Sequence, residues 1–208
     1  MRFLITGIIL VLLGGCVTTK LVSYRDPSFA TGYNMGKMVF VASELPLEER
    51  SFVETKFVEQ FTKIGINGIR GMDLFPPTRS FTDDQKAKIL QNNNIDSVLM
   101  IVGYSKTTDK TYVPQQYHAG TTTGTISYVG NTAYLTTQNH GYTTGGYTIK
   151  KPIFTYTLNL HEVRTGKIVW TASATAKGNA YANAEEFGHS TAATTITKMT
   201  QEGLLKKR

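Results

Sequence analysis

The sequence predicts an α/β fold of the layered α+β type, in which about three helices pack against a mixed β-sheet. Apolar runs of strand length alternate along the chain with stretches whose apolar residues recur at helical spacing. A hydrophobic content of 40% with 18% charged residues is compatible with a packed core. The 208 residues are enough for about one domain. The single Cys excludes an intramolecular disulfide and a cysteine-based metal cluster.

The first part of the predicted domain contains a strand, a helix and a second strand. A continuous apolar run at 38–42 predicts a buried strand. An apolar stripe at positions i, i+4, i+8 and i+11 predicts a helix that starts at Leu47 and stops at Gly65. The charged residues of this segment, Glu54 among them, are predicted to occupy the other faces of the helix. Residues 66–69 predict a short second strand.

The second part adds two helices and three strands. A capping-box pattern at 82–85 predicts a second helix through Leu90. The most apolar stretch of the chain after the N-terminal segment, 97–104, predicts a central strand. The remaining predicted elements are a strand with period-two alternation at 154–161, a strand at 168–172 that pairs back as a hairpin, and a helix near Ala184–Glu202 capped by Asn183.

Between the central strand and this hairpin, residues 111–149 form an insertion without a single charged side chain. It is rich in Gly, Thr and Tyr. Gly130-Asn131 suits a type II′ turn, so the flanking segments predict a β-hairpin. Two-residue pairing places Ile126 opposite Leu135 and Tyr128 opposite Ala133 on one apolar face. The candidate residues for contact with a partner are Ile126, Tyr128, Tyr134 and Leu135.

Three interpretations of the insertion are open. It is a flexible neutral loop, a contact surface for a partner or for self-association, or a hairpin that inserts into a membrane. Tyr in a Gly/Ser/Thr background favours contact, because it offers a large area at low entropic cost. Against membrane insertion, each strand is apolar on one face for only about five residues, whereas a spanning strand needs about 9–11.

The N-terminal segment predicts export and lipid attachment. Residues 1–15 have the charged start and the short apolar core of a signal peptide, too short to cross a membrane. The segment ends in Leu13-Gly14-Gly15-Cys16, which resembles the lipobox of bacterial lipoproteins. That resemblance implies cleavage before Cys16 and acylation of its sulfur and its new amino group. The alternative is an ordinary thiol in an uncleaved helix.

Residues 16–37 are predicted to form the lipidated N-terminus and a tether without regular structure, because they show no sustained periodicity. Residues 38–208 then form a single periplasmic domain that carries the insertion. Val17 follows the cysteine, where an Asp marks retention in the inner membrane of enterobacteria. By that analogy the protein is sorted to the outer membrane and faces the periplasm.

Three segments resemble a broad group of periplasmic lipoproteins. They are Glu49-Arg50 with Glu54 in the first helix, 94–99 before the central strand, and 158–170 across the last hairpin. The group has the fold of the TolB N-terminal domain, the penicillin-binding-protein activators and the curli secretion lipoprotein. The resemblance covers roughly Met38–Glu202 without the insertion and implies a fold and a compartment rather than an activity.

Motifs that carry chemistry are absent from the sequence. None of the four histidines has the spacing of a zinc ligand, and His118, His140 and His161 are interpreted as structural or solvated. The nucleophile elbow and the phosphate- and dinucleotide-binding motifs are missing, and Asp83-Asp84 belongs to a helix cap. We therefore expect no enzyme activity, no metal, no cofactor and no small-molecule substrate. The histidines are His118, His140, His161 and His189.

The net charge of +7 is scattered along the chain apart from the tail at 206–208, so nucleic-acid binding is not predicted. Anionic lipid headgroups or cell-wall polymers are the expected counter-charges. The sequence thus predicts a lipid-anchored lipoprotein that serves as a non-enzymatic adaptor or regulator of an envelope protein or assembly. The alternative is an oligomeric secretion or pore component of the outer membrane, and a cell-wall hydrolase is a remote third.

Overall fold

The computed structural model describes residues 17–27, 29 and 35–205, apart from the side chains of Tyr128 and Asn139. The signal peptide and Cys16 lie outside these residues. The strands are β1 (Val17–Arg25), β2 (Lys37–Val41), β3 (Asn67–Arg70), β4 (Ser97–Val113), β5 (Gln116–His118), β6 (Thr122–Val129), β7 (Thr132–Asn139), β8 (Tyr142–Thr144), β9 (Tyr147–Glu162) and β10 (Ile168–Gly178). The helices are α1 (Leu47–Lys63), α2 (Gly71–Leu74), α3 (Asp83–Asn92) and α4 (Ala184–Gln201). Among the described residues, no helix combines the length and the apolar character that a membrane crossing requires.

Six strands form a mixed sheet in the order β1-β10-β9-β4-β2-β3. β2 is parallel to both β3 and β4, whereas β10 is antiparallel to both β1 and β9. The chain therefore pairs β2, β3 and β4 through helical crossovers and β9 with β10 through a tight hairpin, as the order of elements in the sequence predicts. The predicted α+β class is confirmed.

The chain divides into two compact units. Unit 1 contains the residues up to Thr107 and those from Lys151 onward, and unit 2 is Thr108–Lys150. The predicted insertion, 111–149, lies within unit 2 and differs from its bounds by a few residues at each end. Both ends of the uncharged segment therefore lie close to the boundaries of a structural unit.

The core of unit 1 lies between the sheet and helices α1 and α4. Phe40 of β2, Phe57 and Phe61 are fully buried, with ring centroids 4.9–6.1 Å apart. Phe57 and Phe61 belong to the apolar stripe that predicts α1, so the predicted face is the one that packs. Aromatic pairs at these distances add roughly 0.5–1.5 kcal/mol to the free energy gained from burial.

The prediction that Glu54 lies off the buried face of α1 was wrong, because this side chain is completely buried. One carboxylate oxygen accepts hydrogen bonds from Arg50 Nε at 2.8 Å and from the backbone N–H of Ala42 at 3.0 Å. The other oxygen accepts one from the backbone N–H of Met72 at 2.8 Å. Glu54 thus joins the end of β2 to the start of α2. The helical spacing alone does not show it, because two of its three donors, the backbone N–H groups of Ala42 and Met72, come from other segments of the chain.

The tether predicted for 16–37 is corrected over Val17–Arg25. These residues form β1, an edge strand that pairs antiparallel with β10 over its whole length. Val17 is buried, and Ser23 Oγ donates to a Glu202 carboxylate oxygen at 2.6 Å. A strand is predicted where apolar residues recur with a regular period, but polar side chains occupy many positions of this strand. Backbone pairing and hydrogen bonds to the end of a distant helix stabilise this strand, and neither produces a hydropathy pattern from which a strand can be predicted.

The N-terminal ends of α3 and α4 agree with their predicted caps, whereas α1 has Pro46 at its N-cap and no side-chain cap. In α3 the Thr82 hydroxyl accepts a hydrogen bond from the Gln85 backbone N–H at 3.3 Å, and the Gln85 side chain accepts one from the Thr82 backbone N–H. In α4 Asn183 and Glu186 form the same reciprocal pair. By contrast, β4 and β9 are longer than predicted, extending to Val113 and starting at Tyr147. Apolar runs mark only the buried part of a strand, because the backbone ladder continues independently of side-chain polarity.

Candidate contact surface

Unit 2 contains the predicted hairpin. β6 and β7 form a two-stranded antiparallel sheet in which Ile126 lies opposite Leu135 and Tyr128 opposite Ala133. Gly130 has φ 63°, and Asn94 is the single non-glycine residue with positive φ in the described part of the chain. A positive φ at the first central position alone is what a type II′ turn requires. The turn, the strands and the register predicted from the sequence are confirmed.

The apolar side chains of the hairpin are exposed on both faces. Ile126 and Leu135, paired on one face, are 58% and 66% exposed. Tyr134 lies opposite Ser127 on the other face and is 55% exposed. The neighbouring Val129 is 68% exposed. The candidate residues are therefore divided between two faces. Val129, beside the turn, is a further exposed residue that the sequence analysis did not single out.

Both strands of the hairpin are edge strands, since the sheet contains only β6 and β7. Their sixteen residues contain no Pro and no charged residue, the features with which proteins usually protect a strand edge. An isolated two-stranded sheet is marginally stable in water unless its apolar face is covered. The hairpin can therefore gain stability in two ways, by burying the Ile126–Leu135 face or by extending its backbone ladder with another strand.

A second, shorter strand pair in unit 2 accounts for one of the histidines. β5 and β8 are antiparallel, and the rings of His118 and Tyr142 stack with centroids 4.8 Å apart. His118 Nε2 lies 2.8 Å from Thr144 Oγ1. His118 is thus placed by a cross-strand pair. Strands of three residues are too short to show a period-two alternation, so the sequence does not predict this strand pair.

In unit 1 an apolar cavity of about 30 Å³ lies between α1, α4 and the sheet. Phe57, Phe154 and Phe187 contribute to its wall, and Glu49 and Tyr104 lie at the same wall. A cavity of this size accommodates about one water molecule, whereas ligand sites usually measure about 300–1,000 Å³. It is a packing defect of the core rather than a cofactor site.

A polar cluster lies beside this cavity. Tyr104 Oη donates to a Glu49 carboxylate oxygen at 2.7 Å, and Lys106 Nζ lies 3.2 Å from the other oxygen. Burial, and then the hydrogen bond to the Glu49 carboxylate, raises the pKa of the Tyr104 phenol above its ordinary value. The phenol therefore stays protonated and serves as a hydrogen-bond donor, which suits a structural role. In the described part of the chain, no three His, Cys, Asp or Glu side chains are placed to hold a metal ion.

No known family model matches the chain, and no curated protein matches it. Solved structures align over most of it at low identity. A PelC dodecamer from Paraburkholderia phytofirmans is 15% identical, with 92% of this chain and 100% of that chain covered at a TM-score of 0.47. A variant of the same PelC dodecamer is 17% identical, with 86% and 96% covered at a TM-score of 0.46.

A PDZ domain protein from Parabacteroides distasonis is 10% identical, with 93% of this chain but 38% of that chain covered at a TM-score of 0.40. TM-scores below 0.5 at such identities assign neither a family nor an activity. The fold class of this chain therefore follows from its own sheet and helices.

Proposed function

We propose that this chain is a lipid-anchored lipoprotein of the outer membrane that acts on the periplasmic side as a non-enzymatic adaptor or regulator of an envelope protein or assembly. Cys16 carries the lipid in this proposal, and the β6–β7 hairpin makes the contact. The observation that supports the contact role is the exposure of Ile126, Val129 and Leu135 on a hairpin without charges.

Burial of these side chains favours binding. Removing apolar surface from water contributes roughly 25 cal/mol per Å². Because the hairpin has no charged side chain, a partner that covers it does not have to desolvate an ion, which would cost far more than a neutral group. Hydroxyl groups of the many threonines supply hydrogen bonds at the rim. The hairpin is thus suited to a neutral, partly apolar partner surface.

The test is site-specific photo-crosslinking in intact cells. A photoreactive residue at position 126 or 135 is expected to give a discrete adduct, and the same residue at position 165, in the β9–β10 turn of unit 1, is the matched control. Leu135→Lys should remove the adduct at position 126, and Ile126→Lys should remove the adduct at position 135, because each substitution places an unpaired charge in the contact. Equal adducts at positions 126 and 165, or an adduct that survives the Lys substitution, would contradict the contact role.

A second candidate function is an oligomeric secretion or pore component, and the unprotected edges of β6 and β7 favour it. An edge strand with free N–H and C=O groups pairs readily with a strand of another copy. Each strand has eight residues, fewer than the roughly 9–11 that span a membrane. This candidate therefore rests on self-association rather than on the length of the strands.

The mass of the crosslinked adduct separates the two functions. An adduct of two copies of this chain, together with a mass in detergent that falls to that of the monomer when residues 120–146 are deleted, would favour the oligomer. An adduct with a different protein and an unchanged mass after the deletion would favour the adaptor. Metabolic labelling with a fatty acid tests the anchor, because the Cys16→Ala variant should lose the label.

A further inference from the structure

The first strand of the sheet starts one residue after the proposed lipid attachment site. Val17 is buried and paired with Gly178 of β10, and Ser190 Oγ of α4 donates to the Val17 carbonyl at 3.3 Å. Thr19 Oγ1 lies 2.8 Å from the same Ser190 Oγ. Consecutive Cα atoms are about 3.8 Å apart, so an acylated Cys16 holds the start of β1 at the membrane surface.

The two faces of β1 differ in what covers them. The odd-numbered side chains face α4, as the Thr19–Ser190 and Ser23–Glu202 contacts demonstrate. The even-numbered side chains, from Thr18 to Tyr24, are exposed on the opposite face of the sheet. Val22 is 77% and Tyr24 64% exposed on this face. We call it the open face, and it continues across β10 with the exposed Ser173 and Lys177 and across β9 with Thr155.

The open face carries positive charge and no negative charge along these three strands. Lys20 lies opposite Thr175, and Lys177 opposite Thr18, so the two lysines are diagonal neighbours across the strand pair, about 7–8 Å apart between Cα atoms. Within the part of the chain that the structure describes, neither lysine takes part in an ion pair. β1 and β10 contain no Asp or Glu, and the one carboxylate of β9, Glu162, is buried at the far end of that strand.

We propose that the open face docks on the anionic phospholipid headgroups of the leaflet that holds the lipid on Cys16. The inference rests on the proposed lipid attachment. Lys20 and Lys177 pair with headgroup phosphates once the open face lies on the membrane surface, because the attraction between these charges acts within about a Debye length. Tyr24 suits the headgroup region because its ring is apolar and its hydroxyl is polar. The lipid thus fixes the orientation of unit 1 as well as its location.

The experiment measures the distance from the open face to lipid headgroups in the full, lipidated chain. Because Cys16 is the single cysteine and acylation blocks it, Ser173→Cys provides one attachment site for a fluorophore on the open face. Thr197→Cys, on the outer side of α4, is the matched control. The chains are reconstituted in vesicles of equal parts phosphatidylcholine and phosphatidylglycerol, with a nitroxide on a fraction of the headgroups as the quencher.

Quenching at position 173 is expected to exceed quenching at position 197 in the anionic vesicles and to fall in pure phosphatidylcholine. In a Lys20→Glu or Lys177→Glu background, the ratio of docked to undocked chains should drop at least about fivefold, since each basic residue near such a surface contributes that much. Equal quenching at both positions, or quenching at position 173 that both Glu substitutions leave unchanged, would overturn the proposal.

Two further measurements keep the causes of failure apart. If Cys16 is not acylated, the fluorophore also labels the chain without an introduced cysteine, and the lipid anchor fails rather than the docking. If position 173 is protected from a water-soluble quencher in detergent without vesicles, another copy of the chain covers the open face and the docking proposal is overturned. The hairpin crosslinks at positions 126 and 135 test the proposed function independently of both results.

Discussion

Units 1 and 2 are built from opposite kinds of sequence. Unit 1 buries three interlocking phenylalanine rings and a carboxylate, and its helix ends are capped. In unit 2 none of the described side chains is buried, and its strands are joined by backbone pairing and by small contacts such as the His118–Tyr142 stack. The difference teaches that unit 1 is stabilised from within, whereas unit 2 has apolar surface still available for another molecule.

The largest expected effect on this contrast comes from Glu54→Ala. It leaves Arg50 buried without its partner and two backbone N–H groups without an acceptor. Breaking a buried ion pair from one side costs about 3–5 kcal/mol, so the free energy of unfolding of unit 1 should fall by that amount. Urea unfolding followed by circular dichroism measures it. Glu59→Ala, which removes an exposed pair with Lys56, should cost no more than about 1 kcal/mol, and equal losses would refute the role of burial.

A smaller effect is expected at Glu202, which fastens β1 to the end of α4 within unit 1. Its carboxylate accepts from Ser23 Oγ at 2.6 Å and from Trp170 Nε1 at 2.7 Å. Glu202→Ala leaves the buried Trp170 donor unsatisfied and should cost about 1–3 kcal/mol. Hydrogen exchange should show that the amides of β1 lose protection first. Uniform loss across unit 1 would mean that Glu202 does not act on β1 in particular.

The same carboxylate predicts a dependence on pH. Burial raises the pKa of Glu202, but hydrogen bonds from Ser23, Trp170 and Lys198 outweigh it and hold the pKa below its ordinary value of 4.5. A lowered pKa stabilises the folded state above pH 4.5, and this stabilisation is lost as the pH falls through the folded value. The stability of Glu202→Gln should therefore depend less steeply on pH below 4.5 than that of the unmodified chain. An equal pH dependence of the two chains below 4.5 would contradict this role of Glu202.

Gly130→Ala should affect unit 2 alone. A left-handed conformation costs a residue with a Cβ about 1–2 kcal/mol, and Gly130 has φ 63°. We expect faster exchange of the β6 and β7 amides with no change in the unfolding of unit 1. Gly124→Ala, in the same hairpin but without a positive φ, is the matched control. Destabilisation of unit 1 by Gly130→Ala would show that the two units do not unfold independently.

The smallest effect on stability is expected from the double substitution Ile126→Thr and Leu135→Thr. Both side chains are exposed, so the unfolding free energy should change by no more than about 0.5 kcal/mol. Thermal unfolding of the full chain in detergent measures this change. A loss of several kcal/mol would show that the Ile126–Leu135 face is already covered within the chain, and the contrast between the two units would then fail.

The local features of the chain were predictable from the sequence. The capping boxes at Thr82 and Asn183, the type II′ turn at Gly130 and the register of β6 with β7 depend on residues within a few positions of each other. The apolar stripe of α1 predicts its buried face for the same reason. These features are local because a cap, a turn or a helical face is decided by short-range hydrogen bonds and by spacing along the chain.

The tertiary structure alone decided three other features. Val17–Arg25 pairs with β10, more than a hundred residues away, through a backbone ladder that any sequence of suitable shape can make. Glu54 is buried because Ala42, just after β2, and Met72 of α2 bring backbone donors to it, and the open face exists because α1 and α4 pack on the other side of the sheet. The sequence by itself determined the fold class, the local elements and the uncharged insertion. Only the tertiary structure decided which charges are buried and which surfaces stay exposed, because burial depends on neighbours that the order of residues does not name.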